Sequence, residues 1–78
     1  MPFACVYPRL KAWMQRNDWN ASRLADEAGI FYNTHSNNLT GRTEMSMYTI
    51  RKVLEATGLT FEEAFGDRIS PEKARAER

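Results

Sequence analysis

The 78-residue sequence predicts an all-α domain, a compact bundle of five short helices behind a short N-terminal strand or arm. Three observations carry this. Apolar residues recur at i, i+3 and i+4 in several runs, the period of one helix face. Asn20, Ser46 and Thr60 stand where helices can be capped. Glycines at 29, 41, 58 and 66 stand where those helices should stop.

Each element has its own reason. Pro2 and Pro8 bracket "FACVY", a β-favouring run that reads as an edge strand or an extended arm. After Pro8, Leu10, Trp13 and Met14 share one helical face, and "QRND" ends that helix. Asn20 caps "ASRLADEA", whose Leu24, Ala25 and Ala28 face inward, and Gly29 stops it. Ile30 and Phe31 connect to "YNTHSNNL", which Gly41 closes. Ser46 caps "MYTIRKVLEAT", with Met47, Ile50, Val53 and Leu54 inward. "TFEE" then forms a capping box, in which the Thr60 hydroxyl and the Glu63 carboxylate each serve the other's backbone amide. The tail, 67–78, has a fair helix start at Ser70-Pro71-Glu72 but no apolar face, so a frayed helix or disorder is expected there. Residues 1–8 are thus an arm or edge strand, 9–66 the helical domain, and 67–78 a charged tail.

Bulk composition narrows the function classes. With 42% hydrophobic and 27% charged residues the chain reads as a soluble globular domain. No apolar run reaches a membrane span, and the N-terminus is too weakly apolar for a secretory signal. The lone Cys5 cannot form an internal disulfide, so a reducing cytoplasm is expected. Net charge is only +1, so a polyanion-binding surface must come from the arrangement of charges rather than their excess. One His, one Cys and no glycine-rich phosphate cradle leave nothing from which to assemble a catalytic site. The reading is not an enzyme, and neither a cofactor nor a metal is expected. Cys5 reads as an inert small hydrophobe, Trp13 and Trp19 as core, and Met14, Met45 and Met47 as core or rim.

The third helix is the unusual one. "YNTHSNN" crowds amides and hydroxyls where a small domain normally places apolar residues. Around it, Leu24-Ala25, Ala28-Gly29-Ile30, Leu39, Gly41, Leu54, Ala56, Gly58-Leu59 and Phe65 resemble the Cro/CI-type (XRE-like) helix-turn-helix family of bacterial and phage transcriptional regulators, over Arg9 to Gly66. The resemblance implies a lambda-repressor-like DNA-binding domain with a central helix-turn-helix. Physically, Ala25 is small enough for a helix crossing, Gly29 tolerates the turn, and a polar second helix can enter the major groove.

By that resemblance, base-edge contacts come from Tyr32, Asn33 and Asn37, with Thr34 a further candidate. Asn offers a donor and an acceptor side by side, which suits adenine. Phosphate contacts come from Asn20 and the amides at the start of its helix, and from Thr40, Arg42 and Thr43. Arg23 and Arg16 are weaker candidates. The partner is double-stranded DNA, bound as a homodimer for repression by operator occupancy in the bacterial cytoplasm, with the nucleoid.

Several positions depart from the family. Phe31 stands where a Ser or Thr cap is usual, so the third helix can begin later, with Asn33 as its cap. Position 21 is Ala rather than Gln. His35 and Asn38 occupy positions that usually face the core with apolar side chains. His35 reads either as a neutral, partly buried imidazole bonded to backbone or as a phosphate contact that strengthens on protonation. Asn38 reads as an amide satisfying loop carbonyls or as a DNA contact. The rival function is a protein-binding module on the same fold, an antirepressor or antitoxin-like partner protein using "FACVY", the Phe61–Phe65 helix or the tail.

Overall fold

Helix ends set the layout of this chain, and most of them form where local chemistry indicates. A computed structural model describes residues 4–77; Met1, Pro2 and Phe3 of the expected arm and Arg78 of the tail lie outside the described residues. The described helices are α1 (Pro8–Arg16), α2 (Ala21–Ala28), α3 (Tyr32–Thr40), α4 (Met47–Thr57), α5 (Phe61–Phe65) and α6 (Pro71–Glu77). Asn20 Oδ1 accepts from Arg23 N at 2.8 Å, and Ser46 Oγ accepts from Thr49 N at 3.2 Å. The Thr60–Glu63 capping box closes from both sides, at 3.2 Å and 2.9 Å. Gly29, Gly41 and Gly58 take the left-handed conformation that ends α2, α3 and α4.

Three expectations are corrected. The described residues form six helices rather than five, because α6 forms and packs: Ala74 is 2% exposed, and Ser70 Oγ accepts from Lys73 N at 3.2 Å. Ala74, Pro71 beside Gly41 and the Ile69–Val6 backbone bond hold so short a helix, which is why no apolar stripe marks it. No strand exists among the described residues. Residues 5–7 are buried instead, and Val6 makes single bonds to two different elements, its N–H to Leu39 O at 2.8 Å and its carbonyl from Ile69 N at 2.9 Å. Neither partner is a strand, so no ladder forms, and the segment staples the end of α3 to the approach of α6. Third, Met47 is 70% exposed, while Met45 and Thr49 are buried. As the first residue of α4, Met47 lies off the inward stripe that runs through Thr49 and Val53.

The core gathers Val6, Leu10, Met14, Leu24, Leu39, Val53 and Phe65 from most of these elements. α2 packs on both α3 and α4, and α1 packs on α5. Trp13 and Trp19 are half-buried at its edge, edge-to-face at 5.0 Å. Arg9 ties the α1–α5 side together with ion pairs to Glu62 at 3.1 Å and Asp67 at 2.8 Å. No described helix is long and apolar enough to cross a membrane.

Candidate nucleic-acid interface

The geometry of the interface begins in the link between α2 and α3. The Gly29 N–H closes α2 onto Ala25 O and Asp26 O with φ 73°, and Ile30 N donates to Ala25 O at 3.0 Å. Ile30 packs against the core, whereas Phe31 is 84% exposed. Phe31 occupies the cap position of α3 without a side-chain bond, yet α3 begins at Tyr32 and not after an Asn33 cap, with His35 N donating to Phe31 O at 3.0 Å. The first turns of both α2 and α3 carry no acidic residue, leaving the positive ends of two helix dipoles unopposed.

α3 divides its polar residues between two faces. Tyr32, Asn33 and Thr34 are exposed and Asn37 is half-buried. The side-chain amides of Asn33 and Asn37 have no partner among the described residues, so their donors and acceptors are available. His35, Asn38 and Leu39, at i, i+3 and i+4, form the inward face. His35 is completely buried, which removes it from any phosphate, and neither ring nitrogen has a hydrogen-bond partner. The expected backbone bond is therefore absent. Burial pulls its imidazole down to about 4, so the ring is neutral near pH 7. Cys5 is buried too, its thiol pushed up to about 11, well clear of thiolate chemistry.

Asn38 has the loop-satisfying role. Its Nδ2 donates to Thr43 Oγ1 at 2.9 Å and, less closely, to the Thr43 and Glu44 carbonyls at 3.4 Å. Those bonds fix the loop that carries Arg42 and Thr43. Glu44, the acidic residue of that loop, is held away by a forked contact from Arg68 at 3.1–3.2 Å. Arg42 is exposed and has no side-chain partner among the described residues. Thr40 is more committed, donating its hydroxyl to Ser36 O at 3.0 Å, so a phosphate contact from it requires that bond to be given up. At the start of α2, Asn20 uses only its oxygen for capping, leaving Nδ2 free to donate. Arg23 lies 4.7 Å over the Trp19 ring and 3.7 Å from Glu27, a more occupied cation than Arg42.

Comparison with known families, curated proteins and solved structures finds no match. The assignment of roles therefore rests on the placement of these side chains. Asn37, Thr40 and Arg42 line one cleft of about 300 Å³ together with Ala4, Ser36 and Arg75. Arg75 is absent from the sequence-based set. It reaches this cleft only because α6 docks, and nothing in the charge pattern of the tail marks it. Among the described residues, no group of three or more His, Cys, Asp or Glu side chains is placed to hold a metal ion.

Proposed function

We propose that this chain is a sequence-specific DNA-binding transcriptional regulator with a helix-turn-helix formed by α2, the Gly29–Phe31 turn and α3. The observation that carries this reading is the outer face of α3, where Tyr32, Asn33 and Thr34 are exposed, uncharged and rich in hydrogen-bonding groups. A helix diameter fits the major groove, and side-by-side amide donors and acceptors match adenine edges. Asn37 follows one turn later on the same side. Arg42, Thr43 and the free Nδ2 of Asn20 supply backbone contacts, which set register and much of the affinity. One such motif makes a thin interface, so two copies on half-sites about one helical turn apart complete the site. Occupancy of an operator by that homodimer in the cytoplasm is the regulatory act.

Asn33→Ala is expected to cost about 1–3 kcal/mol at the preferred duplex and almost nothing on random duplex. Arg42→Ala should weaken both duplexes alike and flatten the salt dependence by about one logarithmic unit. Fluorescence anisotropy on both duplexes across a salt series reads these effects. Equal losses on both duplexes for both variants would contradict the division of roles.

A second reading has its own support. Phe31, Met47, Tyr48 and Phe61 are all more than half exposed, and aromatic anchors are the currency of protein interfaces. They stand at the starts of three helices, and a partner protein covering some of them is compatible with DNA binding by α3.

A further inference from the structure

We propose that α6 belongs to the nucleic-acid interface, with Arg75 holding the DNA backbone as the second arginine of the α3 cleft that Arg42 also lines. The inference rests on the DNA-binding reading above. The cleft of about 300 Å³ is lined by Ala4, Ser36, Asn37, Thr40, Arg42 and Arg75, a set with two arginines and no acid. Asn37 and Arg42 already belong to the proposed base- and phosphate-contacting set, so the second cation sits beside the groove-facing helix.

Docking of α6 is built in rather than incidental. A Cβ at Gly41 would lie 2.8 Å from Pro71 Cγ and 2.9 Å from Val6 Cγ1, so the end of α3, the N-terminal segment and α6 meet at that glycine. Ala74, next to Arg75, is buried, and the Ile69–Val6–Leu39 backbone bonds fix the approach to the helix. Arg75 is thus carried on an anchored element, which lowers the ordering cost of a contact. Its described ion-pair partner is Glu72, at 3.9 Å and one turn away, both side chains more than half exposed. A pair of that length and exposure holds the guanidinium weakly and gives way to a phosphate, with which arginine can make two parallel bonds. Three other acids are engaged elsewhere: Glu62 and Asp67 pair with Arg9, and Glu44 with Arg68. A strand of DNA at the cleft therefore meets two cations, Arg42 and Arg75.

The test measures binding of the full chain to its selected duplex and to random duplex from low to moderate salt. The proteins are wild type, Arg75→Ala, Arg75→Lys, Arg42→Ala, the double Arg42→Ala/Arg75→Ala variant, Asn33→Ala, and Lys73→Ala as an exposed α6 control. Arg75→Ala should lose about fivefold in affinity near physiological salt on both duplexes and about one unit of salt slope. The double variant should lose about two units, Arg75→Lys should recover most of the slope, and Lys73→Ala should match wild type. Circular dichroism melts confirm that each variant is folded. Unchanged affinity and slope in Arg75→Ala, while Arg42→Ala and Asn33→Ala show their losses, would overturn the role of α6 and leave the DNA reading intact. A loss confined to the selected duplex would overturn the phosphate assignment. Wild-type protein that binds no duplex would overturn both readings together.

Discussion

Acidification from pH 6.5 to pH 4 should destabilise this protein by about 3 kcal/mol through His35 alone, and His35→Leu should remove that part of the pH dependence. The imidazole is wholly buried and its pKa is pulled from 6.5 to about 4. The sign follows from proton uptake. The unfolded chain binds a proton on this ring below 6.5, and the folded chain resists doing so until about 4. Stability is unpenalised above 6.5, falls through that window, and levels off below it. Glu63 acts in the same direction at lower pH, since its bonds to Thr60 hold it below the usual carboxylate range. Comparing wild type with His35→Leu isolates the histidine.

The same substitution should raise stability at pH 7. Both ring nitrogens are buried without partners, and an unmade hydrogen bond of this kind costs about 1–3 kcal/mol. Leucine has nearly the same volume and no polar atom, so a net gain of about 1–2 kcal/mol is expected after some repacking. In a domain of this size that corresponds to a melting temperature higher by several degrees. Urea denaturation of both proteins at several pH values is the check. A destabilised leucine variant with unchanged pH dependence would mean that the ring makes native contacts worth keeping.

Gly41→Ala should cost about 2–4 kcal/mol, whereas Gly29→Ala should cost only about 1–2 kcal/mol. Both residues have positive φ, 84° and 73°, so both carry the left-handed penalty. They differ in surroundings. A Cβ at Gly29 meets nothing within 4 Å, but one at Gly41 runs into the Pro71 ring and the branched Val6 side chain. Neither neighbour can swing aside freely, so α6 or the residue 4–7 segment must shift. Faster amide exchange over 71–77 in Gly41→Ala, beyond that in Gly29→Ala, would locate the damage. Equal costs at the two glycines would remove the argument that α3, Val6 and α6 are tightly joined there.

What could be read from the residues alone follows how local each feature is. Asn20, Ser46 and the Thr60–Glu63 box cap their helices because a cap needs only three or four consecutive residues. Gly29 and Gly41 end their helices for the same reason. The inward stripes of α1 and α2 also follow from spacing, with Leu10, Met14 and Leu24 fully buried. The docking of α6 was not legible, because it depends on one alanine, one proline against a distant glycine, and backbone bonds through Val6. Met45 and Met47 differ in burial through the exact start of α4, which periodicity does not fix. At the candidate site, only the family resemblance sets His35 and Asn38 at core-facing positions, and of the two readings open for Asn38 the loop-satisfying one is found. The place of Arg75 depends on α3, Val6 and α6 meeting at Gly41, and no short stretch encodes that.

The exposed, uncharged face of α3 as a reader of base edges is tested most directly by selecting duplexes from a random pool with wild type, Asn33→Ala and Asn37→Ala. Wild type should enrich a defined motif, paired half-sites about one helical turn apart, and each variant should lose preference at particular base pairs while keeping the rest. No enrichment by wild type, or one identical motif from all three proteins, would contradict it.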